Sequence, residues 1–183
     1  MNYYELQVAG VHRKLPIIRI TDSLSIASFV ILGDSELVIR AAQELSKKIP
    51  EVDYLITAEA KGIPLVQELA HALGMNRYFV ARKSIKPYMN DPVVTEVYSI
   101  TTQAKQILCL EKEEGELIRG KRILIVDDVI STGDSIKAME TLVKKAGGKI
   151  AGKAAILAEG DSADRSDIIF LEKLTVFPVK PSR

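Results

Sequence analysis

Residues 122–135 read RILIVDDVISTGDS: an apolar run, two adjacent carboxylates, a short turn of hydroxyl and glycine residues, and the start of a helix. The apolar run 123–126 predicts a buried β-strand. Beyond the turn, Ile136 and Met139 begin the inner face of a helix that we expect to end at Gly147. A buried strand that passes through a turn into a helix indicates one βα unit of a parallel sheet.

The same signals extend this pattern over most of the chain. Capping residues, proline and glycine positions, and apolar periodicity predict the remaining elements. The predictions are a helix from Asp34 to Pro50, a strand at 54–56, a helix from Pro64 to Gly74, and strands at 78–81, 150–158 and 168–170. Residues 84–92 are predicted to form a loop, 93–99 and 106–110 the arms of a β-hairpin, and 111–120 a charged surface connection.

The first 33 residues do not fit the βα pattern. They contain short apolar stretches, and we predict that they fold back with the tail 171–179 as a small hood over the sheet. A chain of 183 residues without repeats or linkers fits a single domain over 1–183, with a core at about 34–170. The expected fold class is α/β, with a central parallel sheet flanked by helices on both faces.

Composition excludes several classes of protein. The chain has 25 basic and 24 acidic residues, a net charge of +1, which argues against a protein that coats nucleic acid or a charged membrane surface. Because apolar runs are too short to cross a bilayer and an export signal is not evident, we expect a cytoplasmic protein. The lone Cys109 and the two histidines argue against a cysteine or histidine metal site.

The turn after the acidic pair favours a phosphate ligand. Backbone N–H groups at a helix N-terminus attract anions, Ser131, Thr132 and Ser135 add hydroxyl donors, and Gly133 permits close approach of the backbone. Asp127 and Asp128 would repel a phosphate. They suit the vicinal hydroxyls of an attached sugar, and they can hold a divalent cation directly or through water. The combination predicts a ribose 5-phosphate site.

Two other interpretations of this segment are open from the residues alone. The first is an ordinary turn with a capping box between Ser131 and Asp134. The second is the acidic pair of a phospho-accepting receiver domain. The second interpretation is the poorer one, because a receiver's acidic pair follows its first strand and this pair lies two thirds along the chain.

The segment IVDDVISTGDS resembles the phosphoribosyl pyrophosphate (PRPP) signature of type I phosphoribosyltransferases. The resemblance covers roughly residues 15–172 and implies the type I fold, with a hood and a mobile loop over 84–110. It implies that Asp127 and Asp128 hold the ribose hydroxyls and Mg²⁺. It further implies that the following turn wraps the 5-phosphate, with Val129, Ile130, Ser131, Thr132, Gly133, Asp134 and Ser135 as the PRPP-binding residues.

Two further segments resemble the family's diphosphate-binding parts. Ala60, Lys61 and Gly62 follow a strand like the family's pyrophosphate loop, although a plain turn with a solvated lysine is the alternative. Arg82, Lys83 and Lys86 resemble the basic run after the next strand, for which a solvated basic loop is the alternative. Lys83 and Lys86 join the acidic pair as candidate catalytic residues. Because such residues reach the neighbouring subunit in the family, the resemblance implies a homodimer.

The base is the least determined part of the resemblance. Ile17, Ile18 and Arg19 resemble the base-binding segment of the adenine enzymes, while a strand packed on the core is the alternative. Val97-Tyr98-Ser99 matches the hood loop, but residues 100–102 lack the glutamate common in adenine enzymes and look more like the xanthine enzymes. The expected reaction joins a purine, adenine first, to PRPP, releasing pyrophosphate with Mg²⁺ present. The alternatives are hypoxanthine, guanine or xanthine as the base, or a PRPP-binding regulator without catalysis.

Overall fold

The computed structural model describes residues 2–98 and 105–178, with only the backbone described at 97, 98, 105 and 106. The helices are α1 (Ser35–Ser46), α2 (Ile63–Ala72), α3 (Lys112–Ile118) and α4 (Asp134–Lys145), and a 3₁₀ turn covers Gly160–Asp164. The strands are β1 (Tyr3–Val8), β2 (Val11–Arg19), β3 (Leu24–Ala27), β4 (Tyr54–Ala58), β5 (Phe79–Ala81), β6 (Val93–Tyr98), β7 (Lys105–Leu110), β8 (Arg122–Ile130), β9 (Lys149–Glu159), β10 (Ile169–Leu174) and β11 (Val176–Pro178).

A five-stranded parallel sheet in the order β10-β9-β8-β4-β5 forms the centre of the molecule. Its strands bury both faces, because successive side chains of a strand point to opposite sides. Leu124 and Val126 pack among residues of α1 and α2, whereas Ile123 and Ile125 pack among residues of α3 and α4. This two-sided burial explains the continuous apolar run of β8 and confirms the predicted fold class.

The sheet changes its direction of winding between β4 and β8. From β4 the chain passes through α2 to β5 on one side, and from β8 it passes through α4 to β9 on the other. The two central strands pair only over 54–56 and 123–125. The strands separate beyond that point, which opens a crevice at their carboxyl ends, the usual ligand position in open α/β sheets.

The prediction that the β8 strand stops at Val126 is wrong. The strand continues to Ile130, because β9 accompanies it and pairs Val129 with Leu157 and Ile130 with Ala158. The acidic pair therefore lies within the strand, along the edge that β4 has left. Gly133, with φ 86°, is the N-cap of α4 and gives the helix no side-chain cap, so the capping box considered for this turn does not form.

The N-terminal segment and the tail form a second sheet. It is antiparallel and four-stranded, in the order β1-β2-β3-β11, so that the last described strand pairs with β3. Leu6, Val8 and Leu15 are buried in the same apolar cluster as α1. These contacts fix the hood against one face of the central sheet, near the crevice.

Residues 111–120 are not the surface connection that their charge predicts. They contain α3, which starts with a reciprocal capping box between Glu111 and Glu114. Gly115 lies against Val93, and Ile118 is fully buried in the cluster that also contains α4. The four glutamates, the lysine and the arginine of this segment mask its short apolar stripe, which is why composition alone gave the wrong prediction.

The predicted hairpin is formed by β6 and β7, which pair from Val93–Leu110 to Tyr98–Lys105. Arg82 and Cys109 exchange two backbone hydrogen bonds of 2.8 and 2.9 Å, which attach the hairpin to the end of β5. Within the described ranges, none of the helices is long and apolar enough to cross a membrane.

Candidate active site

A cavity of about 280 Å³ lies in the crevice between β4 and β8. The turn after β4, the acidic pair of β8, the start of α4 and one arm of the hairpin enclose it. Its lining residues are Ala58, Glu59, Ala60, Lys61, Lys83, Ile107, Leu108, Asp127, Asp128, Val129, Asp134, Ser135 and Ala138. Three segments that the sequence singles out separately therefore meet in one place.

Asp128 points towards the turn after β4. Its side chain is only 2% exposed, and Oδ2 lies 2.9 Å from Nζ of Lys61, whose side chain is half exposed. A buried carboxylate needs a compensating partner, and Lys61 supplies it from the opposite wall of the crevice. The lysine can reach both Asp128 and a ligand in the cavity.

Asp127 makes different contacts from those of Asp128. It pairs with Ala155 in the ladder of β8 and β9, and its Oδ1 accepts a 2.8 Å hydrogen bond from the backbone N–H of Asp128. Burial, together with the nearby carboxylate of Asp128, raises the pKa of Asp127 to about 7. The pair therefore holds one proton readily near neutral pH, and hydrogen-bond donors from a ligand would favour its loss.

The turn that follows β8 joins two cavities. Val129, Asp134 and Ser135 line the first, whereas Ser131 and Thr132 line a second cavity of about 540 Å³ beneath the hood. The hydroxyl of Thr132 donates a 3.1 Å hydrogen bond to Asp134, and Ile130 is buried. Of the predicted phosphate-binding residues, five therefore line one of the two cavities. Gly133 is the N-cap of α4, and Ile130 is buried away from both cavities.

The turn after β4 is held close to the strands. Gly62 is the N-cap of α2, and a Cβ built on it would lie 2.1 Å from Oγ1 of Thr57. Only glycine fits there, so the backbone of Ala60, Lys61 and Gly62 lies directly over the end of the strand. Pro64 follows in the first turn of α2, where its missing N–H costs no hydrogen bond.

The structure separates the three cations of the predicted basic run. Arg82 forms an ion pair with Glu59, which also accepts a 2.8 Å hydrogen bond from the backbone N–H of Lys83. Lys83 lines the first cavity, while Nζ of Lys86 lies 2.6 Å from Oγ of Ser84. Of the three, Lys83 is therefore the one that lines the cavity of the acidic pair. The sequence analysis missed Glu59, although an acid at the end of a parallel strand was the signal used for Asp127.

Comparison with models of known protein families identifies the family of this chain. The model of the phosphoribosyl transferase domain matches residues 31–182. The chain belongs to this family. The match begins ahead of α1 and includes the acidic pair, the following turn and the turn after β4.

This phosphoribosyl transferase domain is similar to curated proteins named for xanthine and to others named for adenine. A xanthine phosphoribosyltransferase of Lactobacillus acidophilus is 32% identical over 129 residues, which is 69% of this chain and 66% of that protein. An adenine phosphoribosyltransferase of Thermosipho africanus is 27% identical over 69% of this chain and 72% of its own length. This chain thus spans slightly less than two thirds of the xanthine relative.

Solved structures confirm the type I fold. An adenine phosphoribosyltransferase from Thermoanaerobacter pseudethanolicus superposes with a TM-score of 0.69 at 24% identity, over 87% of this chain and 95% of that one. A purine phosphoribosyltransferase from Pyrococcus horikoshii gives a TM-score of 0.57 at 23% identity, over 80% and 88%. At this level of identity the likeness concerns the fold.

The hood brings one of the three predicted base-binding residues of this phosphoribosyl transferase domain towards the second cavity. Ile18 pairs with Ile26, which pairs with Val176, so the three share one face of the sheet. Ile26 and Val176 line the cavity, as does Leu24. Ile17 and Arg19 alternate to the opposite face, and the Arg19 guanidinium donates to Asp22 and to backbone carbonyls nearby. Their proposed role stays a prediction.

Part of the predicted mobile loop lies outside the described residues. Ser99 and residues 100–102 belong to this part, and only the backbone of Val97 and Tyr98 is described. The prediction that this segment covers the site, and the sequence difference at 100–102 that bears on the base, are therefore not tested by the geometry.

The acidic pair fits the magnesium that the family implies. Mg²⁺ is commonly bound by one or two protein carboxylates, with waters and substrate oxygens completing six ligands. Asp127 and Asp128 are such a pair, and in the described ranges there is no group of three or more acidic, histidine or cysteine side chains that would enclose a metal without substrate. Asp127 and Asp128 are therefore the residues that would hold the cation.

Proposed function

We propose that this protein transfers the 5-phosphoribosyl group of PRPP to a purine base and releases pyrophosphate. The observation that carries the proposal is the position of the acidic pair of β8, between a phosphate-binding turn on one side and the Lys61 loop on the other. This order matches PRPP itself, in which a ribose links a 5-phosphate to a diphosphate. In the reaction the bond from C1 of the ribose to the diphosphate breaks, a bond from C1 to a purine nitrogen forms, and the proton of that nitrogen is released to the departing pyrophosphate or to water.

The ribose is proposed to lie over β8. Asp127 and Asp128 would accept hydrogen bonds from its two hydroxyls, which fixes the ring and places negative charge near the cation that develops at C1. The turn 131–135 would bind the phosphate through backbone N–H groups and hydroxyls. Because these contacts lie away from C1, their binding energy orients the reacting carbon without taking part in bond breaking.

The diphosphate is proposed to lie against the turn after β4. Lys61 and the backbone N–H groups of 60–62 would bind it, together with Lys83, which lines the same cavity. These cations stabilise a leaving group whose negative charge grows as the bond breaks. Mg²⁺ bound at Asp127 and Asp128 would neutralise further charge on the diphosphate and the ribose oxygens.

Adenine is the first candidate for the base. Support comes from the likeness of Leu15–Arg19 to the base segment of adenine enzymes and from relatives named adenine phosphoribosyltransferase. Xanthine is the second candidate, since relatives at 30–32% identity carry that name. The hood side of the second cavity, at Leu24 and Ile26, is the proposed place for the base, and the opposite side of that cavity, at Ser131 and Thr132, borders the proposed phosphate site.

A panel of purines tests the proposal. The protein is incubated with PRPP, Mg²⁺ and adenine, hypoxanthine, guanine or xanthine, and the nucleotide and pyrophosphate are measured. We expect one base to give efficient turnover. Asp128→Asn, which keeps the size of the side chain, should lower turnover by about 10² or more because it removes one preorganised charge. Binding of PRPP without product from any base would favour the regulatory alternative.

We also propose that the protein is a cytoplasmic homodimer that binds neither nucleic acid nor membranes. Three exposed apolar side chains, Val30, Leu32 and Ile39, lie on the α1 side of the molecule and support a protein contact there. Light scattering on the purified protein distinguishes a dimer from a monomer of half the mass. A gel-shift assay with duplex DNA, expected to show no shift, tests the exclusion of nucleic acid.

A further inference from the structure

Arg165 places a cation at the turn that follows β8, outside every segment that the sequence pattern singles out. It directly follows the 3₁₀ turn Gly160–Asp164. A Cβ built on Gly133 would lie 2.8 Å from Nη1 of Arg165, so the missing side chain makes room for the guanidinium. Arg165 also lines the second cavity together with Ser131 and Thr132. The guanidinium and the hydroxyls of the turn therefore face the same space.

Asp167 binds one edge of the Arg165 guanidinium, and Nη1 lies at the other edge. Nε lies 2.9 Å from Oδ1 of Asp167 and Nη2 lies 2.8 Å from Oδ2, a bidentate pair that fixes the plane of the group. Nη1 has no hydrogen-bond acceptor within the described part of the chain. The Arg165 side chain is 33% exposed, so Nη1 can reach a ligand in the cavity without breaking the pair.

Asp167 is itself anchored. It accepts a 2.7 Å hydrogen bond from Lys153, whose side chain is only 12% exposed and which also forms an ion pair with Glu140 of α4. The hydrogen bonds from Arg165 and Lys153 hold the pKa of Asp167 well below its usual range, so it stays charged at neutral pH. The network ties Arg165 to the helix whose first turn borders the phosphate site.

We propose that Arg165 binds the 5-phosphate of the substrate through Nη1, adding a charged ligand to the amides and hydroxyls of the turn. This inference rests on the proposed function. The charge balance of the turn supports it, because Asp134 lies in the first turn of α4 and accepts from Thr132, where it opposes a phosphate dianion. A guanidinium on the other side of Gly133 offsets that repulsion.

Calorimetric titration of the full chain with two partial ligands tests the inference. Ribose 5-phosphate carries the phosphate that Arg165 would bind, and inorganic pyrophosphate carries only the group assigned to the Lys61 loop. Arg165→Gln should lower the affinity for ribose 5-phosphate by roughly tenfold or more, because one charge-assisted hydrogen bond is lost. The affinity for pyrophosphate should not change. Lys173→Gln is the matched control: it removes one positive charge from the adjacent β10, where Nζ lies 3.6 Å from Asp164, and should change neither affinity.

Arg165→Lys keeps the test decisive if the glutamine variant unfolds. A lysine keeps the charge but not the fork, so it cannot hold Asp167 and the phosphate together, and ribose 5-phosphate should again bind more weakly. Equal losses for both ligands, or no loss for ribose 5-phosphate, would overturn the role of Arg165 while leaving the proposed function standing. Failure of the unaltered protein to bind ribose 5-phosphate at all would refute the proposed function and this inference with it.

Discussion

Nζ of Lys61 lies 2.9 Å from Oδ2 of Asp128, and this ion pair spans the crevice where β4 and β8 separate. The two residues are 67 positions apart in the chain. The carboxylate is buried and the lysine is half exposed, so the pair has one fixed member and one that can turn to a ligand. In the proposed complex Lys61 would contact both Asp128 and the diphosphate, and the ribose hydroxyls would donate hydrogen bonds to Asp128.

This arrangement predicts a specific loss on Lys61→Met. The Michaelis constant for PRPP should rise by roughly ten- to a hundredfold, as expected for one charge-assisted hydrogen bond. Lys61→Arg keeps the charge and should retain most of the affinity. Initial-rate kinetics at varied PRPP measure the effect. Lys47→Met removes a comparable surface ion pair, the 2.7 Å contact with Glu44 on α1, and should leave the kinetics unchanged. An unaltered Michaelis constant in Lys61→Met would remove Lys61 from the site.

The raised pKa of Asp127 predicts a pH dependence of stability. Its pKa is about 7 in the folded protein and near 3.8 when exposed, so the folded protein holds a proton that the unfolded chain releases. The contribution of Asp127 to stability is therefore complete below about pH 4 and declines as the pH rises towards 7. Asp127→Asn has no such proton. The free energy of unfolding of the unaltered protein minus that of Asp127→Asn should therefore decline from pH 5 to pH 8 in urea titrations.

Ligand binding should show the opposite trend with pH. In the proposed complex the hydroxyls of PRPP would donate to the ionised form of Asp127, so binding would favour loss of its proton. The affinity of the unaltered protein for PRPP with Mg²⁺ should therefore rise between pH 6 and 8, measured by calorimetry in buffers of different ionisation enthalpy. A proton release that persists undiminished in Asp127→Asn would assign the effect to another group.

Gly62 and Thr57 predict a compensating pair of mutations. A Cβ at position 62 would lie 2.1 Å from Oγ1 of Thr57, although φ −74° at Gly62 suits any residue. Gly62→Ala should therefore destabilise the protein by about 1–3 kcal/mol through overpacking alone. Thr57→Ala removes a buried hydroxyl that has no hydrogen-bond partner among the described residues, so it should be nearly neutral. The double variant should recover most of the loss in urea denaturation; additive losses would contradict the steric explanation.

Ser162 predicts a link between stability and phosphate binding. Its buried Oγ lies 2.6 Å from the carbonyl oxygen of Ile130 and 2.8 Å from that of Glu159, which ties the end of β8 to the 3₁₀ turn. Ser162→Ala should lower the unfolding free energy by about 1 kcal/mol and lower the affinity for PRPP several-fold. Ser46→Ala is the control, since it removes an exposed 2.8 Å hydrogen bond to Gln43 on α1. PRPP affinity that is equal in the two variants would separate Ser162 from the site.

Much of the fold was predictable because its signals are local. The buried run 123–126, the proline and glycine limits of α2, and the acid and hydroxyl pattern of 127–135 each depend on residues close in the chain. The errors arose where a distant neighbour decides the outcome. β8 continues past Val126 because β9 pairs with it, and α3 forms because Gly115 and Ile118 have a buried surface to meet.

The sequence by itself determined most strands and helices of the core and the kinds of chemical group at the crevice, because periodicity, capping and residue type act over a few positions. Only the tertiary structure decided which groups face each other. Three contacts depend on strand register and on segments far apart in the chain. Lys61 pairs with Asp128, Ile18 rather than Ile17 lies on the cavity face of the hood, and Arg165 approaches Gly133. Such contacts follow from how the sheet and the hood pack, and a local pattern of residues does not encode them.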